Sequence, residues 1–301
     1  MINYSFIIPH HNCPELLERC LNSIPQRRDI QIIVVDDNSD EDKRPIYSNR
    51  IEVEYIYIDK NETKGAGRAR NRGLTKAKGK WIVFSDSDDF FEIDVLKDKM
   101  DKYKDSDADI IFFNTDILDA ETLNPMNSVY KYRDIVNNNN DNSVEWLRYR
   151  SNVPWGKFIK KDLVILNNLS FSECIAGNDL YFSVTTGHYS KITRVDIDTI
   201  YHWCLRREGN ISSNISKSAI LSKYEQTKLR NVFLLSVNKT NWVSNIFLQY
   251  WSNMRKIGYS YGEILNILWK DTPRAYRIRH IYECFLFILK RFININVFKL
   301  K

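Results

Sequence analysis

Residues 81–90 read WIVFSDSDDF, an apolar, strand-forming run that ends in Asp86, Asp88 and Asp89. Carboxylates this close repel one another unless a cation neutralises them, so the stretch reads as a buried strand delivering acids to a ligand-bearing edge. The sequence around it repeats the pattern. YSFII (4–8), IQIIVV (30–35), IEVEYIYI (51–58) and DIIFFN (109–114) are further strands. Between them lie an amphipathic helix with Leu16, Leu17, Cys20, Leu21 and Ile24 on one face, a glycine-bounded basic helix over about 65–78 and a helix over about 92–104. Repeated βα units with nearly continuous apolar strands predict an α/β fold, its mainly parallel sheet flanked by helices.

Ligands of such sheets collect beyond the carboxyl ends of the strands. Here the first strand is followed by PHHN, the second by Asp36-Asp37-Asn38-Ser39 and the fourth by Asp86-Ser87-Asp88-Asp89. Polar and acidic residues thus gather at one edge. A carboxylate pair one residue apart can chelate a hard divalent ion such as Mg2+ or Mn2+, which leaves positions open for substrate phosphates. Helix capping by Asp88 and Asp89 is the rival reading, but one cap needs one Asp. DDNS is also a good turn sequence, so Asp36 and Asp37 gain meaning chiefly from their neighbours. GAGRARNRG (65–73) sets three arginines near a helix start without matching a dinucleotide fingerprint or a P-loop. Guanidinium forks at Arg68 and Arg70 suit a diphosphate, helped by the helix N-terminus, while a solvated basic face claims at least one of the three arginines.

With 301 residues, 43% hydrophobic and 13% aromatic, the chain can bury a sizeable core. The NNNNDN tract at 137–142 reads as a solvated loop. Five scattered cysteines, with no CxxC, indicate neither a disulfide framework nor structural zinc and fit a reducing cytoplasm. MINYSFIIPHHN lacks the basic start and long apolar stretch of a signal peptide. No run approaches the roughly 18–20 apolar residues of a spanning helix. The net charge of +6 is entirely C-terminal: residues 241–301 carry ten Lys plus Arg against three acids. From about 213 onward the pattern is wholly helical, with Trp242, Trp251 and Trp269. The expected organisation is therefore a domain over 1–212, with halves 1–115 and 116–212, followed by a basic, aromatic-rich helical extension over 213–301.

SFIIPHHN, IIVVDDNSDE, GAGRARNRG and VFSDSDDF, in this order, resemble the successive motifs of glycosyltransferase family 2, the inverting nucleotide-sugar transferases of GT-A fold. WGKFIKKDLV, FSECIAGNDLYFSV and YHWCLRREGNIS are similar to that family's acceptor-side segments, so the resemblance covers about residues 3–213. It implies a hexosyltransferase using a nucleotide-diphosphate donor, UDP-sugar first among them, and a glycan or lipid-linked acceptor, as in bacterial surface polysaccharide synthesis. By the same resemblance Pro9 and His11 line the base pocket, and Asp37, with Asp36 nearby, hydrogen-bonds uracil or ribose. Asp86 and Asp88 match the DxD pair, with Asp89 the neighbouring acid; together they would bind ribose and a Mn2+ or Mg2+ bridging the diphosphate. Asp179 matches the catalytic base, although an Asp at a helix start also reads as a cap. His202, Arg206 and Arg207 either contact phosphate or metal from a closing loop or sit on the rim. Two positions depart from the pattern: Asn178 stands where an acid commonly precedes the base, and His11 where a Tyr is common.

The basic, aromatic tail suits an anionic membrane surface, where a lipid-linked acceptor would be met, and a cytoplasmic or peripheral inner-face location. Ordinary packing with aromatics inside and lysines outside is the alternative. A sugar-nucleotide pyrophosphorylase would need a glycine-rich loop after the first strand, and PHHNCPE has no glycine. A catalytically inactive nucleotide-sugar-binding protein stays open on sequence grounds. Nucleic acid is not an expected partner, since no recognition motif accompanies the basic residues.

Overall fold

The computed structural model describes residues 1–45, 50, 52–59, 65–126, 132–205 and 216–299, with side chains in the last helix to residue 286. The chain divides into two compact units, Met1–Ser212 and Ser213–Lys301.

In the first unit the apolar runs form the strands β1 (Tyr4–His10), β2 (Ile30–Asp36), β3 (Val53–Tyr57) and β4 (Trp81–Phe84), with helices α1 (Pro14–Asn22) and α2 (Ala66–Lys76) between them. β1, β2 and β4 are buried over their whole lengths, as strands covered on both faces must be. β1 pairs in parallel with β2 and β4, and β2 in parallel with β3. The chain continues through β5 (Phe90–Phe91), α3 (Ile93–Tyr103), β6 (Ile110–Asp119), α4 (Tyr132–Asn138), α5 (Asp141–Arg150), β7 (Lys157–Lys160), α6 (Lys161–Leu166), α7 (Asp179–Tyr189) and β8 (Thr193–Leu205). The sheet order is β3-β2-β1-β4-β7-β6-β8-β5. β7 runs antiparallel to both β4 and β6, β6 pairs in parallel with β8, and β5 adds an antiparallel edge to β8.

Alternation along the strands feeds two cores. Tyr4, Phe6, Ile8, Ile32, Val34 and Val83 pack on one side with Leu17, Cys20 and Leu21 of α1. Ile7, Ile33, Val35, Ile82, Phe84 and Phe112 pack on the other with Ala69 of α2 and Phe182 of α7. Each fully buried Ile or Phe contributes roughly 1.5–3 kcal/mol, so the strand register is strongly specified and the ends of β1, β2 and β4 are fixed at one edge.

Two local readings need correction. The Asn tract is not a loop throughout: Asn137 and Asn138 close α4, and Asn140 caps α5 by accepting a hydrogen bond from the Ser143 amide. The strand expected to end at residue 114 continues to Asp119, past register shifts at Phe113–Thr115, because the distal half of β8 offers it a partner.

The second unit contains α8 (Lys217–Ser236), α9 (Ile246–Lys256), α10 (Tyr261–Asp271) and α11 (Arg274–Lys299). Ile220, Tyr224, Ile246, Tyr250, Met254, Ile264 and Leu268 form its core. Among the described residues no helix is long and apolar enough to cross a membrane.

Candidate active site

The edge is assembled from β1 and β2 outward. Alternation along β1 places His10, not His11, on the inner side after Phe6 and Ile8, where it is buried. Its Nδ1 lies 2.9 Å from Asp36 Oδ1. Burial alone would lower the imidazole pKa, but the bond to Asp36 outweighs it and holds His10 up at about 9. Asp36 also accepts from the Ser39 hydroxyl at 2.5 Å and the Ser39 amide at 3.2 Å. Burial would raise its carboxyl; the His10 and Ser39 bonds hold it below the usual range. Asp36, expected at the nucleotide, thus anchors the turn from within. His11 is exposed, and its Nδ1 lies 2.9 Å from the Asp37 carbonyl oxygen. Pro9 is a buried residue of β1 paired with Val35.

Asn38 adopts φ +59° and buries both polar atoms of its amide, which have no hydrogen-bond partner among the described residues. It lines a cavity of about 80 Å3 with Asp36, Ser39, Arg44, Tyr57 and Ile58. Sequence reading treated Asn38 only as a turn residue, which its positive φ justifies.

Asp37 Oδ2 accepts the Gly65 amide at 2.8 Å, tying the end of β2 to the start of α2. Gly65 has φ +142°, a conformation that suits glycine. Two residues on, a Cβ at Gly67 would stand 2.2 Å from the Ser172 carbonyl oxygen and 2.8 Å from Asn178 Cβ. This flush contact lets Arg70, buried on the next turn, reach across: Nη1 donates to Asn178 Oδ1 at 2.8 Å and Nη2 to Asp86 Oδ1 at 2.5 Å. The guanidinium carbon lies 5.3 Å from the Phe171 ring centroid. Arg68 is half-buried, its Nη1 3.9 Å from Glu173 Oε2.

Asp179 is the first residue of α7, and the N-cap residue Asn178 makes no side-chain capping bond, its side-chain Oδ1 accepting from Arg70 instead. Burial pushes the Asp179 carboxyl up to about 6, against Arg70 and Lys157 and with the help of Asp86. A carboxyl poised near neutrality, beside an arginine-held carboxylate, can take a proton from a hydroxyl.

The acidic loop after β4 separates into two roles. Asp86 and Asp88 are half-buried at the edge. Asp89, expected above as a third metal-binding acid, is 1% exposed and turned inward. Its Oδ2 accepts the Tyr201 hydroxyl at 2.6 Å and its Oδ1 the Cys204 amide at 2.8 Å. The same Tyr201 oxygen accepts the Asp86 amide at 3.0 Å. Burial, with Asp88 and Asp86 adding to it, pushes the Asp89 carboxyl well above the usual range. It therefore fastens the loop to β8, while Asp86 and Asp88 stay half-buried at the edge. Among the described residues no three His, Cys, Asp or Glu side chains converge on a metal site. Two oxygen donors suffice for Mg2+ or Mn2+ when substrate phosphates complete the shell, so the donor set fits such an ion.

His202 packs against Phe90 with the rings tilted and 4.7 Å between centroids, and its Nε2 lies 3.4 Å from Glu92 Oε2. Arg206 and Arg207 lie outside the described residues.

The sequence model of "Glycosyl transferase family 2" matches residues 5–162. The poly(ribitol-phosphate) β-N-acetylglucosaminyltransferase TarS of Staphylococcus aureus is 23% identical over 296 residues, covering 91% of this chain and 48% of TarS. A GalNAc(5)-diNAcBac-PP-undecaprenol β-1,3-glucosyltransferase of Campylobacter jejuni is 26% identical over 185 residues, 60% of this chain and 58% of that protein. The chain thus spans about half the length of these relatives. The crystal structure of S. aureus TarS 1–349 with UDP-GlcNAc superposes with a TM-score of 0.68 at 20% identity, covering 90% of this chain and 82% of that one. The fold is GT-A, and the chain belongs to glycosyl transferase family 2.

Proposed function

We propose that this protein is an inverting glycosyltransferase that moves a sugar from a nucleotide-diphosphate donor, a UDP-sugar, to a hydroxyl of a glycan or lipid-linked acceptor in bacterial surface polysaccharide assembly. The observation that carries the reading is the Arg70 bridge: one buried guanidinium joins Asp86 on the donor side to Asn178, the neighbour of Asp179. The named substrates of the relatives support it, TarS having been crystallised with UDP-GlcNAc and the Campylobacter enzyme acting on an undecaprenol-linked saccharide.

In this reading the base and ribose lie along Asp37, His11 and the amide of Asn38, which presents a donor and an acceptor side by side. Arg70 and Arg68 face the diphosphate. Asp86 and Asp88 would hold Mn2+ or Mg2+, which when bound supplies positive charge to the departing diphosphate. Asp179 takes the proton from the acceptor oxygen as that oxygen attacks the anomeric carbon from the face opposite the leaving group, and the configuration inverts. A thermal-shift screen of UDP-, GDP- and dTDP-sugars, each with and without Mn2+, tests the donor class. A UDP-sugar should raise the Tm most, and more with Mn2+; a flat panel contradicts the proposal.

A second element concerns the acceptor's location. On α11, Ile278, Ile281, Tyr282 and Phe285 are 83%, 50%, 60% and 60% exposed at helical i, i+3, i+4, i+7 spacing, flanked by Arg274, Arg277 and Arg279. An apolar stripe bordered by arginines matches an anionic membrane surface, and we assign it that role. Flotation of the full chain with anionic liposomes, compared with a chain carrying Ile278→Glu and Phe285→Glu, tests it; equal recovery of the two chains removes the assignment.

A further inference from the structure

The turn Asp86-Ser87-Asp88-Asp89 closes on itself, the Asp89 amide donating to the Asp86 carbonyl oxygen at 3.2 Å. Burial alternates along it: Ser87 and Asp89 are 7% and 1% exposed, whereas Asp86 and Asp88 are half-buried. Two carboxylates this close push each other apart. A turn that keeps both in one place needs its main chain held from outside, and two side chains from distant parts of the chain hold it.

Tyr201 comes from β8. Its hydroxyl accepts the Asp86 amide at 3.0 Å and donates to Asp89 Oδ2 at 2.6 Å, so one oxygen ties the first residue of the turn to the last. The ring stacks on Trp155, with 5.3 Å between centroids and 14° between planes, and meets Phe91 edge-on at 5.2 Å. A phenylalanine would make the same ring contacts. Burying a hydroxyl costs free energy unless it is hydrogen-bonded, and this one bonds to Asp86, Asp89 and, at 3.4 Å, Ser85 Oγ. Packing explains the ring, and the turn explains the hydroxyl.

Arg19 comes from α1, whose neighbouring Leu17, Cys20 and Leu21 are buried. Its Nη2 donates to the Asp88 carbonyl oxygen at 2.5 Å and to Cys204 Sγ at 3.4 Å, and its guanidinium carbon lies 4.8 Å from the Phe90 ring centroid. The arginine thus joins the middle of the turn to β8, the strand that carries Tyr201.

We infer that Tyr201 and Arg19 are positioning residues, a clamp that fixes the main chain of the acidic turn and so sets the separation of the Asp86 and Asp88 carboxylates for the divalent ion they would share with a diphosphate. The inference rests on those two carboxylates being the ligands of the ion. Tyr201 acts through the Asp86 amide and Arg19 through the Asp88 carbonyl, so each governs one of the two. Losing a group that orients a metal's ligands typically costs roughly 10–100-fold in metal affinity.

Two binding measurements on the full chain test it. Mn2+ uptake in the presence of UDP is read from the loss of the free-ion EPR signal, and UDP affinity without Mn2+ is read by calorimetry. In Tyr201→Phe and in Arg19→Met the Mn2+ affinity should fall about 10-fold or more, while UDP affinity without Mn2+ stays within about 2-fold. Tyr4→Phe is the control, since it also loses a buried hydroxyl bond, to the Met100 carbonyl oxygen at 2.5 Å, but at the far end of β1. It should leave both affinities unchanged. Arg19→Met leaves β8 intact, so the test stands even where Tyr201→Phe does not fold. Wild-type Mn2+ affinity in either folded variant, or an equal loss in Tyr4→Phe, overturns the inference. A wild-type chain that takes up no Mn2+ with UDP would instead sink the donor and metal reading, and the clamp with it.

Discussion

Arg70 Nη2 and Asp86 Oδ1 form an ion pair whose arginine is 6% exposed and whose aspartate is 32% exposed in their side chains. Because Arg70 also holds Asn178, it sets the spacing between the donor edge and α7. Arg70→Lys keeps the charge but loses the planar fork. It should lower turnover at least ~10-fold and destabilise the fold by about 1–3 kcal/mol, less than the roughly 3–5 kcal/mol of a broken, fully buried pair because Lys keeps the charge and Asp86 is partly solvated. Steady-state kinetics with urea unfolding checks both; a variant equal to wild type in both would detach Arg70 from the site.

Gly67 gives a steric test of the same geometry. A Cβ there meets the Ser172 carbonyl oxygen at 2.2 Å, so Gly67→Ala must push the start of α2 away from the segment that carries Asn178. Overpacking of this kind costs about 1–3 kcal/mol. Turnover should fall more than donor affinity, because the base and ribose contacts on β1 and β2 stay in place while the displacement of α2 reaches both the diphosphate, through Arg68 and Arg70, and the Asn178 side of the site. Calorimetric donor affinity set against initial rates separates the two effects; equal losses would mean that α2 shapes only the donor half.

The His10–Asp36 pair, 2.9 Å apart, predicts a pH dependence of stability. The folded pKa is raised from 6.5 to about 9, so the stabilisation is complete below the unfolded value and is lost as pH rises through about 9. The loss should amount to roughly 1–3 kcal/mol. Urea unfolding from pH 6 to pH 10 should show this decline in wild type and a flatter curve in His10→Gln. Parallel curves would mean that His10 is neutral in the folded chain.

How much of this was written plainly in the sequence depends on how local each feature is. β1, β2 and β4 were legible because unbroken apolar runs have few other uses, and the acids that follow them necessarily arrive at one edge. The choice of His10 over His11 was available from the two-residue period of β1 but is masked by the adjacent pair of imidazoles. Asp89 could not be told from Asp86 and Asp88, since its partner Tyr201 is 112 residues away. Arg19 was hidden for a similar reason: in LERCLN it resembles any arginine on a helix, and only its bond to the Asp88 carbonyl oxygen shows its place at the acidic turn. The Asn tract misled because runs of asparagine favour turns, whereas here a single Asn140 cap lets α5 begin almost where α4 stops.

The most direct test of the central claim is Asp179→Asn. Its carboxyl is held up at about 6, and in wild type the rate should rise with pH through that value as the base becomes ionised. The amide keeps the shape but accepts no proton, so donor affinity measured by calorimetry with Mn2+ should stay within about 2-fold while turnover falls at least ~100-fold. Wild-type turnover in the variant, or a loss confined to donor binding, would contradict the account.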